Sequence, residues 1–68
     1  MKTLDLHGIR HAEVDEMVED FIVANETPLR IITGNSPKMI SIVREVCKRH
    51  NLKEDRENDY NLGSRIIG

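Results

Sequence analysis

A chain of 68 residues with net charge −2 and a hydrophobic fraction of 38% reads as one small domain with a thin core, since so short a chain buries only about 60% of its unfolded surface. Its one cysteine, Cys47, excludes an internal disulfide and points to a reducing compartment, the cytoplasm. Phe21 and Tyr60 are the only aromatics, which excludes the rows of rings that stack on single strands, and no apolar run has the length of a signal peptide or membrane span.

The first element is a strand, Leu4-Asp5-Leu6-His7-Gly8. Side chains alternate along a strand, so Leu4 and Leu6 share one face while Thr3, Asp5 and His7 share the other. Gly8 suits a tight turn out of the sheet. Val14, Met17, Val18, Phe21 and Ile22 then recur at helical spacing, which predicts an amphipathic helix from His11 to Ala24. Asn25-Glu26-Thr27-Pro28 breaks it. Leu29-Arg30-Ile31-Ile32-Thr33 is a β-branched run ending at Gly34 and reads as a second strand.

Ser36 ahead of Pro37 is a hydroxyl cap followed by proline at the first helical position. Met39, Ile42, Val43, Val46, Cys47 and His50 form the apolar stripe of a second helix that ends near Asn51. The charged segment Leu52 to Asp59 has poor strand propensity and reads as a weak edge strand. Tyr60-Asn61-Leu62-Gly63 reads as a turn and Ser64-Arg65-Ile66-Ile67 as a closing strand. The order is β-α-β-α-β-β. A right-handed strand–helix–strand crossover makes the first two strands parallel and sets both helices on one face of a four-stranded mixed sheet, a two-layer α/β sandwich. The expected core is Val14, Met17, Val18, Phe21, Ile22, Ile31, Met39, Val43, Val46 and Ile66.

That topology brings His7-Gly8 and Thr33-Gly34-Asn35-Ser36 to one sheet edge, outside the strand C-termini where ligands of parallel sheets bind. The second loop feeds a helix N-terminus, whose N–H groups and dipole attract phosphate. Charge is unevenly spread: Glu13, Asp15, Glu16, Glu19, Asp20 and Glu26 mark the first helical region, whereas Lys38, Arg44, Lys48 and Arg49 oppose only Glu45 in the second. An anionic partner should meet the second helix, although two solvated faces of opposite sign explain the pattern equally.

The assembled motifs resemble the Smr (small MutS-related) domain family. Leu4-Asp5-Leu6-His7-Gly8 looks like its L-D-L-H-G opening, Arg30-Ile31-Ile32-Thr33-Gly34 like the start of its T-G-x-G loop, and Asn61-Leu62-Gly63-Ser64-Arg65-Ile66-Ile67 like its N-x-G-x-x-x-V ending. The resemblance implies a fold similar to the C-terminal domain of translation initiation factor three, with nucleic-acid binding and endonucleolytic cleavage of DNA or RNA. Ser36 stands where the family has its second loop glycine, and Pro37, Lys38 and Met39 occupy the positions that carry its loop histidine and serine.

Each candidate also has a structural reading. His7 is the candidate proton-transfer group, or a histidine that bonds a neighbouring loop. Asp5 orients the imidazole or holds backbone N–H groups. Thr33, Gly34, Asn35, Ser36, Lys38 and Arg10 are the candidate phosphate-binding residues. Ser36 is better read as a cap than a nucleophile, and His11 either reaches the same edge or caps the first helix.

Cys47 and His50 read as core rather than metal ligands. Glu54, Asp55, Glu57 and Asp59 are oxygen donors suited to a divalent cation, or a solvated edge that resists strand pairing. The sequence specifies no cofactor, and a divalent metal is compatible with it. The leading expectation is a nucleic-acid-binding domain that cleaves phosphodiester bonds. Its alternatives are a non-catalytic nucleic-acid module and a protein-interaction domain using the acidic helix.

Overall fold

In the computed structural model, which describes residues 1–58 and 63–68, the chain runs β1 (Lys2–Asp5), α1 (His11–Ala24), β2 (Leu29–Ile32), α2 (Pro37–Arg49), β3 (Glu54–Arg56) and β4 (Ser64–Ile67). The strands form one mixed sheet in the order β1-β2-β4-β3. β1 and β2 are parallel, as the helical crossover demands, and β4 is antiparallel to both β2 and β3. The small α/β architecture and the element order agree with the sequence reading. Asp59 and the first three residues of the expected 60–63 turn lie outside the described residues.

Paired residues share a face, so the register separates the two sides of the sheet. Leu4, Leu29, Ile31, Arg65, Ile67 and Glu54 fall on one side, and Thr3, Asp5, Arg30, Ile32, Ser64, Ile66 and Asp55 on the other. Both helices cover the first side. Leu6, Leu29, Ile31 and Ile67 pack there with Val14, Val18 and Ile22 of α1 and Met39, Val43, Val46 and Cys47 of α2. Two expectations are corrected. Ile67 occupies the core position assigned to Ile66, because the register pairs Ile67 with buried Leu29. Met17 and Phe21 are half-buried at the margin.

The helix ends follow local chemistry. Ser36 Oγ accepts from the Met39 N–H at 3.2 Å, with Pro37 next in the chain, so the expected cap forms. Arg10 is the N-cap of α1 and supplies no side-chain bond. His11 is therefore the first helical residue rather than a cap. At the other end of α2, Asn51 adopts φ +59°. Its N–H donates to the Lys48 carbonyl at 3.0 Å and that of Leu52 to the Cys47 carbonyl at 2.9 Å, the paired bonds of a Schellman stop.

Opposite charges on the two helices meet rather than face separate solvent. Arg49 donates to Asp15 and Glu19, and His50 Nε2 lies 2.7 Å from Glu19 Oε2. His50 is thus half-buried beside a carboxylate, which corrects its placement in the core. Cys47 is buried as expected. Burial pushes its thiol up to about 11, with a further push from Glu54.

Candidate functional site

The loops after β1 and β2 emerge at one edge because the strands are parallel neighbours. Leu6 extends the ladder, donating its N–H to the Ile32 carbonyl at 2.9 Å, and then the chain turns, with the Ile9 N–H donating to the Leu6 carbonyl at 3.1 Å. Gly8 sits third in this turn at φ +77°, the angle a type II turn requires there. His7 is therefore an exposed turn residue just beyond the strand. Asp5 Oδ1 accepts from the backbone N–H of His7 at 2.8 Å, the habit of an aspartate that braces the chain two residues on. The carboxylate reaches His7 through its backbone; among the described residues no hydrogen bond joins it to the imidazole.

The second loop is more constrained. Thr33 is buried, and its N–H and that of Gly34 both donate to the Gly63 carbonyl, at 2.7 and 3.0 Å. Thr33 Oγ1 donates to the Gly34 carbonyl at 2.9 Å and lies 3.3 Å from the Gly63 carbonyl. Gly34 holds φ +67°. The amides of Thr33 and Gly34 thus brace the loop instead of facing a ligand. Asn35 and Lys38 are exposed and Ser36 half-exposed. The Ser36 carbonyl accepts from Ile40 at 3.0 Å and its hydroxyl caps Met39, so Ser36 is occupied as a helix cap. Arg10, beyond the first turn, is 84% exposed and lies 3.7 Å from Glu13.

The structure therefore brings His7, Asn35, Ser36 and Lys38 to one edge, with Arg10 close in sequence to His7. Sequence reasoning missed Gly63, which arrives from the β3–β4 connection and contacts Gly34 directly. Its signal was a glycine ahead of a closing strand, which cannot reveal what it touches.

Elsewhere the arginines are largely engaged. Glu57 accepts from Ser64 Oγ at 2.6 Å and pairs with Arg30 at 2.5 Å; Ser64 first and Arg30 second hold its carboxyl below the ordinary value. Glu54 accepts from Arg65 Nε and Nη2, at 3.0 and 2.8 Å, and from Arg44 Nε at 3.4 Å. Of the basic residues of α2, Arg44 and Arg49 are tied to carboxylates, while Lys38 and Lys48 are exposed. Among the described residues no group of three or more His, Cys, Asp or Glu is arranged to hold a metal ion, and no helix is long and apolar enough to cross a membrane. A depression of about 330 Å³ lined by residues including Arg44, Glu45, Cys47, Lys48 and Glu54 contains none of the candidate catalytic or phosphate-binding residues.

No family model matches the chain, and no solved structure matches it. Similarity is found to SKP1-like protein 14 of Arabidopsis thaliana, 43% identical over 44 residues, which is 65% of this chain and 28% of that protein. The matched stretch spans under a third of that relative and does not place the chain in a family. These comparisons correct the resemblance to the Smr family: the match found is to a SKP1-like protein. The physical reason is that Leu-Asp-Leu-His-Gly and Ile-Ile-Thr-Gly are strands closing on a glycine turn, a pattern that β-α-β folds produce irrespective of ancestry.

Proposed function

We propose that this chain is a small nucleic-acid-binding domain that meets the phosphodiester backbone at the edge formed by the β1–α1 and β2–α2 loops. The observation that supports this is the convergence of exposed His7 with the Asn35–Lys38 helix entrance outside the ends of two parallel strands. Lys38 lies in the first turn of α2, where its charge opposes the helix dipole; a bound phosphate makes the same charge favourable. His7 is the proton-transfer group for phosphodiester cleavage, and Asp5 positions it through the backbone. With RNA the adjacent 2′-hydroxyl is the nucleophile; with DNA, water is. Because an ammonium holds a phosphate but exchanges its proton far less readily near neutral pH than an imidazole does, binding should outlast cleavage.

The test is incubation with labelled single- and double-stranded DNA and RNA, with and without EDTA and across salt concentrations. Binding should weaken as salt rises, and Lys38→Ala should reduce the salt slope by about 1. His7→Ala should abolish cleavage and spare binding. Absence of salt-dependent binding to all four probes would sink the proposal, and binding without cleavage would leave a non-catalytic module.

A second reading has its own support. Arg10, Arg30, Arg44, Arg49 and Arg65 are each paired with a carboxylate, while Glu16 and Asp20 of α1 are exposed. That distribution suits a protein-interaction surface on the acidic helix. Glu16→Lys with Asp20→Lys would then abolish partner capture and leave nucleic-acid binding untouched.

A further inference from the structure

We infer that Gly63 is a positioning residue for the candidate site, setting the shape of the Thr33–Ser36 loop from the opposite side of the sheet edge. This rests on the proposed phosphate-binding role of that loop. Two observations carry it. The Gly63 carbonyl accepts the N–H groups of Thr33 and Gly34, at 2.7 and 3.0 Å, so one oxygen fixes two consecutive peptide planes. A Cβ built on Gly63 would lie 3.0 Å from Gly34 Cα, 3.2 Å from its C and 3.3 Å from its N. Those neighbours are backbone and cannot swing aside as a side-chain end could.

The φ of Gly63 lies outside the left-handed range, so alanine is allowed by its own backbone. What alanine does is push on Gly34. That push is transmitted to Asn35, Ser36 and the entrance of α2, because Gly34 precedes them directly and already holds φ +67°. Gly63 is in this way the third wall of the site, acting through its main chain.

The experiment is Gly63→Ala in the full chain, read by amide resonances of the free protein and by binding of labelled RNA and DNA. Thr33, Gly34, Asn35 and Ser36 should shift while Val14 and Val18, in the body of α1, stay in place. Nucleic-acid affinity should fall severalfold, since Gly34 must give by a few tenths of an ångström and carries Asn35 and Ser36 with it. A folded variant with unmoved loop amides, or with wild-type affinity, would overturn the inference.

If Gly63→Ala does not fold, amide hydrogen exchange in the unsubstituted chain decides: the Thr33 and Gly34 N–H groups, held by the Gly63 carbonyl, should be protected, and free exchange at both would overturn the inference. The resonances are read without ligand. A wild-type chain that binds no nucleic acid therefore counts against the proposed function, while the loop shifts still decide whether Gly63 shapes the loop.

Discussion

The carboxylate of Glu54 and the guanidinium of Arg65 meet through two hydrogen bonds on the helix-covered face of the sheet, with side chains 4% and 5% exposed. Removing one partner strands the other charge out of water, which typically costs about 3–5 kcal/mol. That is comparable to the whole stability of a small domain, of the order of 5 kcal/mol. Glu54→Ala should therefore leave the domain only marginally folded at room temperature, with a much lower urea midpoint. Replacing the pair together, Glu54→Leu with Arg65→Met, should restore a cooperative urea transition. A Glu54→Ala protein as stable as wild type would show that the pair is dispensable.

Leu29 is fully buried and paired with Ile67 at the centre of the sheet. Leu29→Ala should cost roughly 2–5 kcal/mol, at the level of other core truncations. Phe21, at the margin, should cost less than the roughly 3–5 kcal/mol typical of a buried phenyl ring. Denaturant midpoints for the two variants order them, and the reverse order would contradict the packing.

Ser36→Ala removes the N-terminal side-chain cap of α2 and should destabilise the domain by about 0.5–2 kcal/mol. Ser36→Asp should recover most of that loss. If the hydroxyl serves only as a cap, any cleavage activity should survive Ser36→Asp. Abolition of cleavage in a stable Ser36→Asp protein would assign it a chemical role instead.

The pH dependence has two limbs. Glu57 is held below its ordinary value of 4.5 by Ser64 and Arg30, so its contribution to stability is complete above 4.5 and is lost as pH falls through its lower folded value. Glu57→Gln should flatten the acid limb of a melting-temperature profile. Cys47 behaves oppositely. Its thiol ionises near 9.0 when unfolded and at about 11 when folded, so stability declines as pH rises from 9 toward 11. Cys47→Ala should remove that decline, and an unchanged alkaline limb would argue against the buried thiol.

Much of the fold was legible because the periodic signals were local. The stripe from Val14 to Ile22 and the Ser36-Pro37 cap place both helices, and α1 and β4 fall at their expected residues. The parity of β4 was not legible. Ser64-Arg65-Ile66-Ile67 has two adjacent isoleucines, and a charged residue beside them reads as the outward position. Only the pairing of Ile67 with Leu29, and of Arg65 with Ile31, turns Arg65 inward, where Glu54 awaits it from β3. At the candidate site, His7 and Ser36 could be placed from strand ends and a cap. The use of the Thr33 and Gly34 amides could not, because their acceptor lies thirty residues away along the chain.

Strand order carries one more consequence. β4 follows β3 in sequence, yet it sits between β2 and β3, so it is a keystone rather than a border. A proteolytic cut ahead of Ser64 would not trim the sheet but split it, leaving β1-β2 with a second open edge and β3 with no partner. It would also remove Arg65 from Glu54 and leave the Gly63 carbonyl without the strand that holds it against the loop. Assembly of this domain should accordingly wait on its residues 64–67, and partial chains lacking them should be prey for proteases rather than smaller folded versions of the whole.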